Sequence, residues 1–464
     1  MQIPLLSGIS ATQQADFSLS YPINLEGVPT DTGLSKGYLR SAAGATHYAS
    51  GPGINRGGLE WNGVLYRVMG SKLVSVAQNG TVTILGDVED DGKPVAMDYG
   101  FDRLAIKSNA KLWYWDGLTL TQVTDPDLGP VLDVVWMNGH YVTTDGSYIV
   151  VTQLSDPTAV DPLKYGSAEA DPDMVTGLIR LRNELYATGQ DTIQVFYYQG
   201  GSGFPFAVND GATIPLGCVG PKAKALFMQS FAFVGAGRNQ GTSVWLAQGG
   251  TALKLSTRAI DDLLAQEADP SSIVVEARVS RDEHRLLVHL TDKTLVFLDS
   301  ASRKAGEGVW YVAASGRAMD KPYRLRDAIL CYGKWIVGDK ETSSLGVLDD
   351  GVSSHFGESV GWQFDTRLLY NPGNGAILHS LELVGLPGRA EGDRPVAFLS
   401  FTTDGQTWSM ERAGVLGRNG QRSRRCQWRP HKRFANYMGV RFRGDSDALA
   451  GWAALEAVME PLTA

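Results

Sequence analysis

Short apolar segments separated by tight polar turns recur along the chain between about residues 58 and 350. In each copy an apolar segment is followed by a two-residue turn, a second apolar segment, another turn and a third, alternating segment. Alternation with a period of two is typical of β-strands, so Val64, Tyr66 and Val68 are predicted to face one way and Leu65 and Arg67 the other. Seven copies, the last of them the weakest, begin at Gly58, Val95, Val131, Val175, Ala223, Val274 and Tyr323.

The turn residues explain how the chain reverses so tightly. The pairs Asn62-Gly63 and Asn138-Gly139 can adopt the positive φ angles that a two-residue hairpin requires. The same conformation is expected at the next turns, which are Asn79-Gly80, Asp116-Gly117 and Asp145-Gly146. The pattern therefore predicts a succession of β-hairpins.

The regular spacing of these hairpins indicates a repeat architecture. The first turns of the units lie 36 to 53 residues apart, near Asn62, Asp102, Asn138, Asn183, Gln229, Asp282 and Gly333. Four short strands in each such unit are the signature of a β-propeller blade, and a single blade is too small to bury its own faces without neighbours. We predict an all-β protein, a six- or seven-bladed β-propeller followed by a small C-terminal β-sandwich. Two β-sandwiches with accidental strand spacing are the alternative for the repeat region.

One segment departs from the strand pattern. Thr257 can cap a short surface helix in which Asp261 and Asp262 occupy the early turns, and Pro270 lies just beyond its end. The apolar stripe of this helix would consist of Ile260, Leu263 and Leu264.

The spacing changes after Asp350, and a second alternating region begins at Ile377 beyond the breaker cluster Pro372-Gly373-Asn374-Gly375. The pattern predicts four parts of the chain. They are an N-terminal extended segment that joins the propeller (1–57), the propeller (58–350), a connecting strand and loop (351–376) and the C-terminal β-sandwich (377–464).

Composition narrows the cellular setting. The three cysteines, Cys218, Cys331 and Cys426, are far apart and form no CxxC pair, so they indicate reduced thiols rather than a zinc site or a disulfide framework. The N-terminus has neither the basic nor the apolar region of a secretory signal, and no apolar stretch is long enough to span a membrane. Assembly in the cytoplasm without membrane insertion is therefore expected.

The charge is unevenly distributed along the chain. The formal net charge is -8, yet no acidic residue lies between Arg412 and Asp445, where the local charge is +9 and leaves -17 for the remainder. Such asymmetry often marks an interface with an acidic partner, either DNA phosphate or a neighbouring subunit, although a solvated basic hairpin is the plainer alternative. The candidate interface residues are Arg418, Arg422, Arg424, Arg425, Arg429, Lys432, Arg433, Arg441 and Arg443.

Catalytic and metal-binding signals are weak. His284 and His289 lie five positions apart in one strand and so face opposite ways. The acidic clusters Glu89-Asp90-Asp91 and Asp171-Pro172-Asp173 could bind calcium, but turn formation explains them better. Residues Thr402–Trp408 resemble one Asp-box hairpin of propeller glycosidases, which is a folding device and occurs here once. No catalytic residue, metal site or cofactor is therefore predicted.

Several stretches together resemble the packaged-DNA stabilisation, or tail-accessory hub, proteins of short-tailed bacteriophages. The most specific is Val279–Val312, with Glu283-His284 before Leu286-Leu287, a Leu295–Phe297 strand and Trp310. Ala43-Gly44-Ala45 stands where that family often has Pro-Gly-Ile, a small departure. Further similar stretches are Tyr21–Pro29, Gly37–Tyr48, Val64–Leu73, Phe401–Trp408, Cys426–Pro430 and Met438–Gly444.

The resemblance implies a non-enzymatic virion protein of the phage tail. Such a protein forms a homo-oligomeric, six-fold ring below the portal and adaptor rings, closes the portal channel, retains packaged DNA, and carries the tail needle and the tailspike or fibre proteins. Two other functions remain open from the residues: a propeller enzyme acting on glycans, and a glycan-binding tail module without hydrolysis. The first would show further Asp boxes and a pair of catalytic carboxylates about 5 Å apart.

Overall fold

The repeat region folds into a closed β-propeller of seven sheets. The computed structural model describes residues 2–3, 5, 8–11, 17–30, 37–168, 173–371, 374–389, 395–444 and 449–462. Six of the seven sheets have four antiparallel strands and one has three. The innermost strand of every sheet contacts the innermost strands of its two neighbours, and the seventh contacts the first, so the ring closes. The propeller prediction is confirmed, with seven blades.

The seven predicted units correspond to the seven blades in order. From the inside outwards, blade 1 contains Asn55–Trp61, Val64–Met69, Lys72–Val76 and Val82–Asp87; blade 2 contains Ala96–Tyr99, Leu104–Ser108, Lys111–Trp115 and Leu120–Gln122; and blade 3 contains Asp133–Met137, His140–Thr144 and Ile149–Val151. Blade 4 contains Gly177–Leu181, Glu184–Thr188, Ile193–Tyr198 and Phe206–Val208, and blade 5 contains Lys224–Phe227, Ser230–Gly235, Ser243–Gln248 and Thr251–Lys254. Blade 6 contains Val274–Ser280, Glu283–His289, Thr294–Leu298 and Val309–Ala313, and blade 7 contains Leu325–Cys331, Lys334–Asp339, Ser344–Asp349 and Gly44–Ser50.

The outer strand of blade 7 comes from the opposite end of the propeller sequence. Gly44–Ser50 pairs antiparallel with Ser344–Asp349, so the last sheet contains strands from before blade 1 and after blade 6. This pairing ties the two ends of the ring together through backbone hydrogen bonds. Gly44 is required at the start of this strand, because a Cβ atom there would lie 2.3 Å from the carbonyl oxygen of Ser354.

The inner hairpin turns have the predicted conformation, and the later turns do not. Asn62 and Gly63 have φ angles of 52° and 76°, and Asn138 and Gly139 have 50° and 89°, as a two-residue hairpin requires. At the pairs Asn79-Gly80, Asp116-Gly117 and Asp145-Gly146 the glycine alone has a positive φ. The reason is that the first side chain of these longer turns accepts hydrogen bonds from backbone N–H groups two or three residues onward.

Both faces of a blade are buried because each blade lies between two others. Tyr66 and Val68 pack in the core between blades 1 and 2 with Leu104. Leu65 faces the opposite way, in the core between blades 7 and 1 with Ile336. The predicted alternation in this strand is correct, but neither face meets solvent.

In the described parts of the chain, two α-helices interrupt the sheets. Arg258–Ala265 is the predicted helix, and it buries Ile260 and Leu264. Thr257 occupies the position before it but makes no capping bond with its side chain, because its hydroxyl instead hydrogen-bonds to that of Tyr21. The second helix, Asp299–Ala305, was not predicted. Three short 3-10 helices lie at Pro162–Lys164, Asp210–Ala212 and Pro270–Ser272.

The C-terminal region is a β-sandwich, as predicted, and it includes strands from the N-terminus. One sheet contains Gln2–Ile3, Leu25–Pro29, Gly37–Ser41, Ala376–Gly385, Cys426–Trp428, Lys432–Phe434 and Gly451–Pro461. The other contains Trp362–Asp365, Leu369–Tyr370, Val396–Thr402, Arg412–Val415 and Tyr437–Gly444. A separate hairpin pairs Gly8–Ala11 with Phe17–Ser20. Ile3, Leu25 and Leu39 share one core with Trp362 and Phe442, so the sandwich needs both ends of the chain.

The segment just before Leu25 joins the propeller to the sandwich. The Pro22 carbonyl accepts a 2.8 Å hydrogen bond from the N–H of Val312 in blade 6, and the Asn24 N–H donates to the Val312 carbonyl at 2.8 Å. The N–H of Ile23, between them, donates to the carbonyl of Gln363 in the sandwich at 2.8 Å. One short segment therefore contacts both domains at once.

A buried carboxylate reinforces this junction. Glu26 accepts hydrogen bonds from the Nε and Nη2 atoms of Arg285 in blade 6, at 2.8 and 3.0 Å, and from Arg40 at 2.8 Å. Burial alone would raise the pKa of Glu26, but attraction to Arg285 and Arg40 lowers it to about 2. Removing one partner of such a buried pair typically costs about 3–5 kcal/mol, so the two domains form a firmly joined unit.

The three cysteines lie in hydrophobic cores. Cys218, Cys331 and Cys426 are all buried and form no disulfide. Among the described helices, none has the length and apolar character that crossing a bilayer would require.

Candidate interface surfaces

Three of the nine basic candidates are bound to carboxylates within the sandwich. Arg441 donates to both oxygens of Asp365 at 2.8 Å, and Arg443 donates to both oxygens of Glu411 at 2.7 and 2.9 Å. Arg425 makes a similar two-pronged contact with Glu382, and its hydrogen bond lowers the pKa of that carboxyl. These three arginines hold sheets and strands together, a role that the sequence did not reveal because their partners lie far away along the chain.

The Asp-box-like turn contacts one of these arginines through an aromatic ring. Asp404 accepts hydrogen bonds from the Thr407 hydroxyl and from the N–H groups of Gln406 and Thr407, the latter two at 2.9 and 2.8 Å, and these bonds keep its pKa well below the ordinary value. The guanidinium of Arg441 lies 3.8 Å from the centre of the Trp408 ring. The turn therefore closes a hairpin and positions an aromatic ring against a cation, which is a structural role.

The other six basic residues form an exposed strip along one side of the sandwich, which we call the basic rim. None of the six makes an ion pair within the described part of the chain. They are Arg418, Arg422, Arg424, Arg429, Lys432 and Arg433. The first three lie in the turns that lead to the strand Cys426–Trp428, and the others lie around the strand Lys432–Phe434.

The two short strands of the basic rim stand at the edge of their sheet. Both pair with Ala376–Gly385 on one side only, within the residues that the structure covers. Charged residues on an edge strand discourage pairing with strands of other molecules, which is the solvated-hairpin alternative. The same placement also makes the side chains accessible to an acidic partner. The structure brings these six residues together but does not distinguish the two roles.

Two histidines lie beside the basic rim. The Nε2 atom of His379 donates a 2.8 Å hydrogen bond to the Glu460 carboxylate, and the His379 ring contacts that of His431, with 5.6 Å between the ring centres. Across the described residues no group of three or more histidine, cysteine or acidic side chains is placed to hold a metal ion.

The acidic clusters considered as calcium sites have internal cationic partners. Asp90 and Asp91 both contact the buried guanidinium of Arg56, and Glu89 contacts Lys111. Asp171 and Pro172 of the second cluster lie outside the described residues, and the carboxylate of Asp173 accepts a hydrogen bond from the N–H of Asp191 at 2.7 Å. These carboxylates therefore serve the blades themselves.

His289 is also part of the fold. Its Nε2 atom lies 3.1 Å from Glu276 and its Nδ1 atom 2.9 Å from the Thr294 hydroxyl. Burial lowers the pKa of His289 to about 4, so the ring is neutral at pH 7. His284 lies elsewhere, edge-on to the ring of Phe227. The two histidines do not share a site, as their spacing predicted.

A second exposed surface is apolar and was missed by the sequence analysis. It lies at the end of the propeller where the first two strands of each blade are joined, which we call the turn face. Phe101 and Leu118 at the turns of blade 2 are 91% and 86% exposed. Further exposed apolar residues at the same end are Tyr99, Leu226, Met228, Val279 and Leu330. Contiguous exposed apolar residues often mark contact sites for other proteins.

These features define a class of protein: a closed seven-bladed propeller joined rigidly to a β-sandwich, with one basic and one apolar surface exposed. Two family models match the chain. The model described as the β-propeller of bacteriophage P22 Gp10 matches residues 1–353, and the model described as the β-sandwich of the same protein matches residues 361–460. The chain belongs to the bacteriophage P22 Gp10 family.

One individual protein supports this assignment. The chain is 27% identical over 470 residues to the tail hub protein gp10 of Salmonella phage P22, covering 95% of this chain and 96% of that protein. Among solved structures, the N-terminal domain of Nup159 covers 69% of this chain and 97% of its own, with 12% identity and a TM-score of 0.42. The Pan2 WD40 domain of Neurospora crassa covers 66% and 94%, with 8% identity and a TM-score of 0.40.

Proposed function

We propose that this protein is the tail hub of a short-tailed bacteriophage, a structural connector rather than an enzyme. The observation that carries the proposal is the match, over nearly the whole of both chains, to a protein named as a tail hub. In this role the chain forms a homohexameric ring in the virion tail, assembled in the host cytoplasm. The ring closes the portal channel, retains the packaged DNA, and anchors the tail needle and the tailspike or fibre proteins.

The architecture suits a component that transmits force without changing shape. Packaged DNA pushes on whatever closes the channel, so a hub must resist bending between its parts. The closed ring of seven blades leaves few free strand edges, and the Glu26 ion pairs fix the propeller against the sandwich. The propeller, predicted at residues 58–350 and completed by the strand Gly44–Ser50 and the beginning of Asn55–Trp61, acts as a rigid spacer. The sandwich, placed at 377–464, and the flanking parts 1–57 and 351–376 complete the unit.

Assembly in this proposal depends on the basic rim. Its six cations have no acidic partner within the described residues, while the rest of the chain carries a large negative charge. Arginine pairs bidentately with carboxylates, so an acidic surface of a portal or adaptor ring protein, or of a neighbouring copy, is the favoured partner. DNA phosphate in the channel is a further partner, opposed at long range by the overall negative charge.

Charge reversal at the rim tests the proposal. The variant Arg422→Glu with Arg424→Glu changes two exposed residues that make no ion pair in the described chain. We expect it to fold as the wild type does but to bind purified portal–adaptor complexes of the same phage at least about tenfold more weakly, because attraction becomes repulsion. Sedimentation of the mixed complexes, followed by negative-stain imaging, measures the bound fraction.

A matched variant distinguishes the effect of where the charges lie from the effect of the changed net charge. Arg182→Glu with Lys321→Glu reverses two exposed cations on the propeller, and these also make no ion pair in the described chain. It should bind the complexes as the wild type does. If the rim variant also bound unchanged, the rim would be only a solvated edge. If the wild type itself did not bind, the hub assignment would fail.

A further inference from the structure

The axis of the propeller contains two cavities that lie along its inner strands. The larger, of about 640 Å³, lies between blades 6, 7, 1 and 2, at the end where the inner strands begin. The smaller, of about 270 Å³, lies along the inner strands of blades 2 to 5. Six of the sixteen residues that line the larger cavity are charged, which is unusual for the centre of a folded domain.

The acidic groups of these cavities are occupied by internal donors. Asp133 accepts from the Nζ of Lys224 at 2.9 Å and from the N–H of Leu178 at 2.9 Å. Asp327 accepts from the side-chain amide of Asn55. Asp90 accepts from the N–H of Gly92 and contacts Arg56, as described above. The lone pairs of these carboxylates are therefore largely used by the blades.

Four cations of the axis have no such partner. They are Lys93, Lys222, Arg326 and Lys340, which we call the axial cations. In the described part of the chain none of the four makes an ion pair or a side-chain hydrogen bond, and the Nε of Arg326 is buried without an acceptor. Three of them line the larger cavity together. The cavity thus has an excess of unsatisfied donors.

Burial makes the charges of Lys340 and Lys222 costly. It lowers the pKa of Lys340, and repulsion from Arg326 lowers it further, although Glu341 and Glu267 oppose the shift. Burial likewise lowers the pKa of Lys222, where attraction to Asp133 opposes the shift and the neighbouring Lys224 adds repulsion. An anion placed among these groups would relieve the repulsion and accept their free hydrogen bonds.

We propose that the larger axial cavity is a binding site for a small multivalent oxyanion of the phosphate class, held by Lys93, Arg326 and Lys340. The volume lies within the usual range for small-molecule sites, about 300–1,000 Å³. An oxyanion of this class offers several acceptor oxygens to cations that approach from different blades. Because Arg326 and Lys340 belong to blade 7 and Lys93 to the link between blades 1 and 2, the bound anion would bridge the place where the ring closes.

Calorimetry with tripolyphosphate as the probe tests the site. The titration is done at 0.15 M salt, where exposed charges are screened beyond about 8 Å. The wild-type chain should bind with one site per chain. The variant Lys93→Gln with Lys340→Gln removes two axial cations while keeping side chains of similar reach, and it should bind at least about tenfold more weakly.

The basic rim supplies the matched control. Arg422→Gln with Arg424→Gln removes the same charge from the sandwich surface and should leave the tripolyphosphate affinity unchanged. Equal weakening by both variants would show non-specific attraction, and so would several weak sites per chain. Either result would overturn the proposal, as would the absence of any binding by the wild type.

Thermal unfolding separates a binding role from a structural one. Lys340 makes no ion pair in the described chain, so Lys340→Gln without ligand should unfold at the wild-type temperature or slightly above it. The rise in unfolding temperature that tripolyphosphate causes in the wild type should shrink in this variant. A ligand-free variant that unfolds well below the wild type, with an undiminished ligand effect, would show that Lys340 only supports the fold.

Discussion

Single charged residues in this molecule mostly form ion pairs or ring contacts that connect distant parts of the chain. Arg56 is held by Asp90 and Asp91, and Arg441 joins Asp365 to the ring of Trp408. Asp90 and Asp91 belong to an acidic cluster that suggests a calcium loop. Arg441 belongs to a basic cluster that suggests an interface. A cluster in sequence shows which charges are near each other along the chain but not which of them meets a partner from another strand.

His355 is a residue-scale example with a measurable consequence. It lies between blade 7 and the sandwich and is only 4% exposed, and its Nδ1 is 2.9 Å from the Ser315 hydroxyl. Burial first, and then the nearby Arg324, lower the pKa of His355 to about 3, although Asp339 opposes the shift. Arg278 adds a further small repulsion. The ring is therefore neutral in the folded protein over the whole mildly acid range.

We predict that His355 makes the fold sensitive to acid. Its pKa falls from 6.5 to about 3 on folding, so its contribution to stability is complete above pH 6.5 and is lost as the pH falls towards 3. At pH 5 the loss should reach about 2 kcal/mol, because only the unfolded chain takes up the proton. His355→Gln should flatten the dependence of the unfolding free energy on pH over this window, as measured by denaturant titrations at several pH values.

The exposed His47 provides the comparison for this experiment. His47→Gln should leave the pH dependence of the unfolding free energy like that of the wild type. A His355→Gln curve as steep as the wild-type curve between pH 6.5 and pH 3 would contradict the account of this buried ring.

At the scale of elements, the turns were the most predictable feature of the sequence. Asn62-Gly63 and Asn138-Gly139 could be assigned from the local sequence, because both residues of a two-residue hairpin turn need positive φ whatever surrounds them. The helix Asp299–Ala305 was overlooked although its signals are present: an acidic first residue, Arg303 and Lys304 in its last turn, and Gly306 beyond it with a φ of 72°. Its seven residues lie between two strands of blade 6, and strand periodicity on both sides obscured them.

The strand Gly44–Ser50 could not be assigned from its own sequence, because its partner lies about 300 residues away. We predict that its buried side matters for ring closure. Ala49→Asp places a charge in the core shared by blades 7 and 1, beside Leu65 and Leu345, and should lower the unfolding free energy by about 2–4 kcal/mol.

Thr46 lies in the same strand but is exposed, so a charge introduced there is the control for the charge introduced at the buried Ala49. Thr46→Asp should change the unfolding free energy by no more than about 0.5 kcal/mol. Urea unfolding followed by tryptophan fluorescence measures both variants. Equal stability of Ala49→Asp and the wild type would mean that this strand does not close the ring in solution.

At the scale of the whole molecule, the sequence predicted the two architectures but not how they are connected. Repeat spacing and alternation are local signals, and they identified the propeller and the sandwich. The path of the described residues among the first 50, through the sandwich sheet, along the junction and into blade 7, depends on contacts with residues near the other end of the chain. The same reason explains why three of nine basic candidates proved to be internal partners, and why the exposed turn face was missed.

Cryo-electron microscopy of the purified protein mixed with the portal–adaptor complex of its own phage tests the hub assignment most directly. The account predicts a six-fold ring of propeller–sandwich units attached beneath the adaptor, with Arg422 and Arg424 facing acidic side chains of a neighbour. Portal–adaptor particles that remain bare, beside free monomers of this chain at concentrations well above those of the complex, would contradict it.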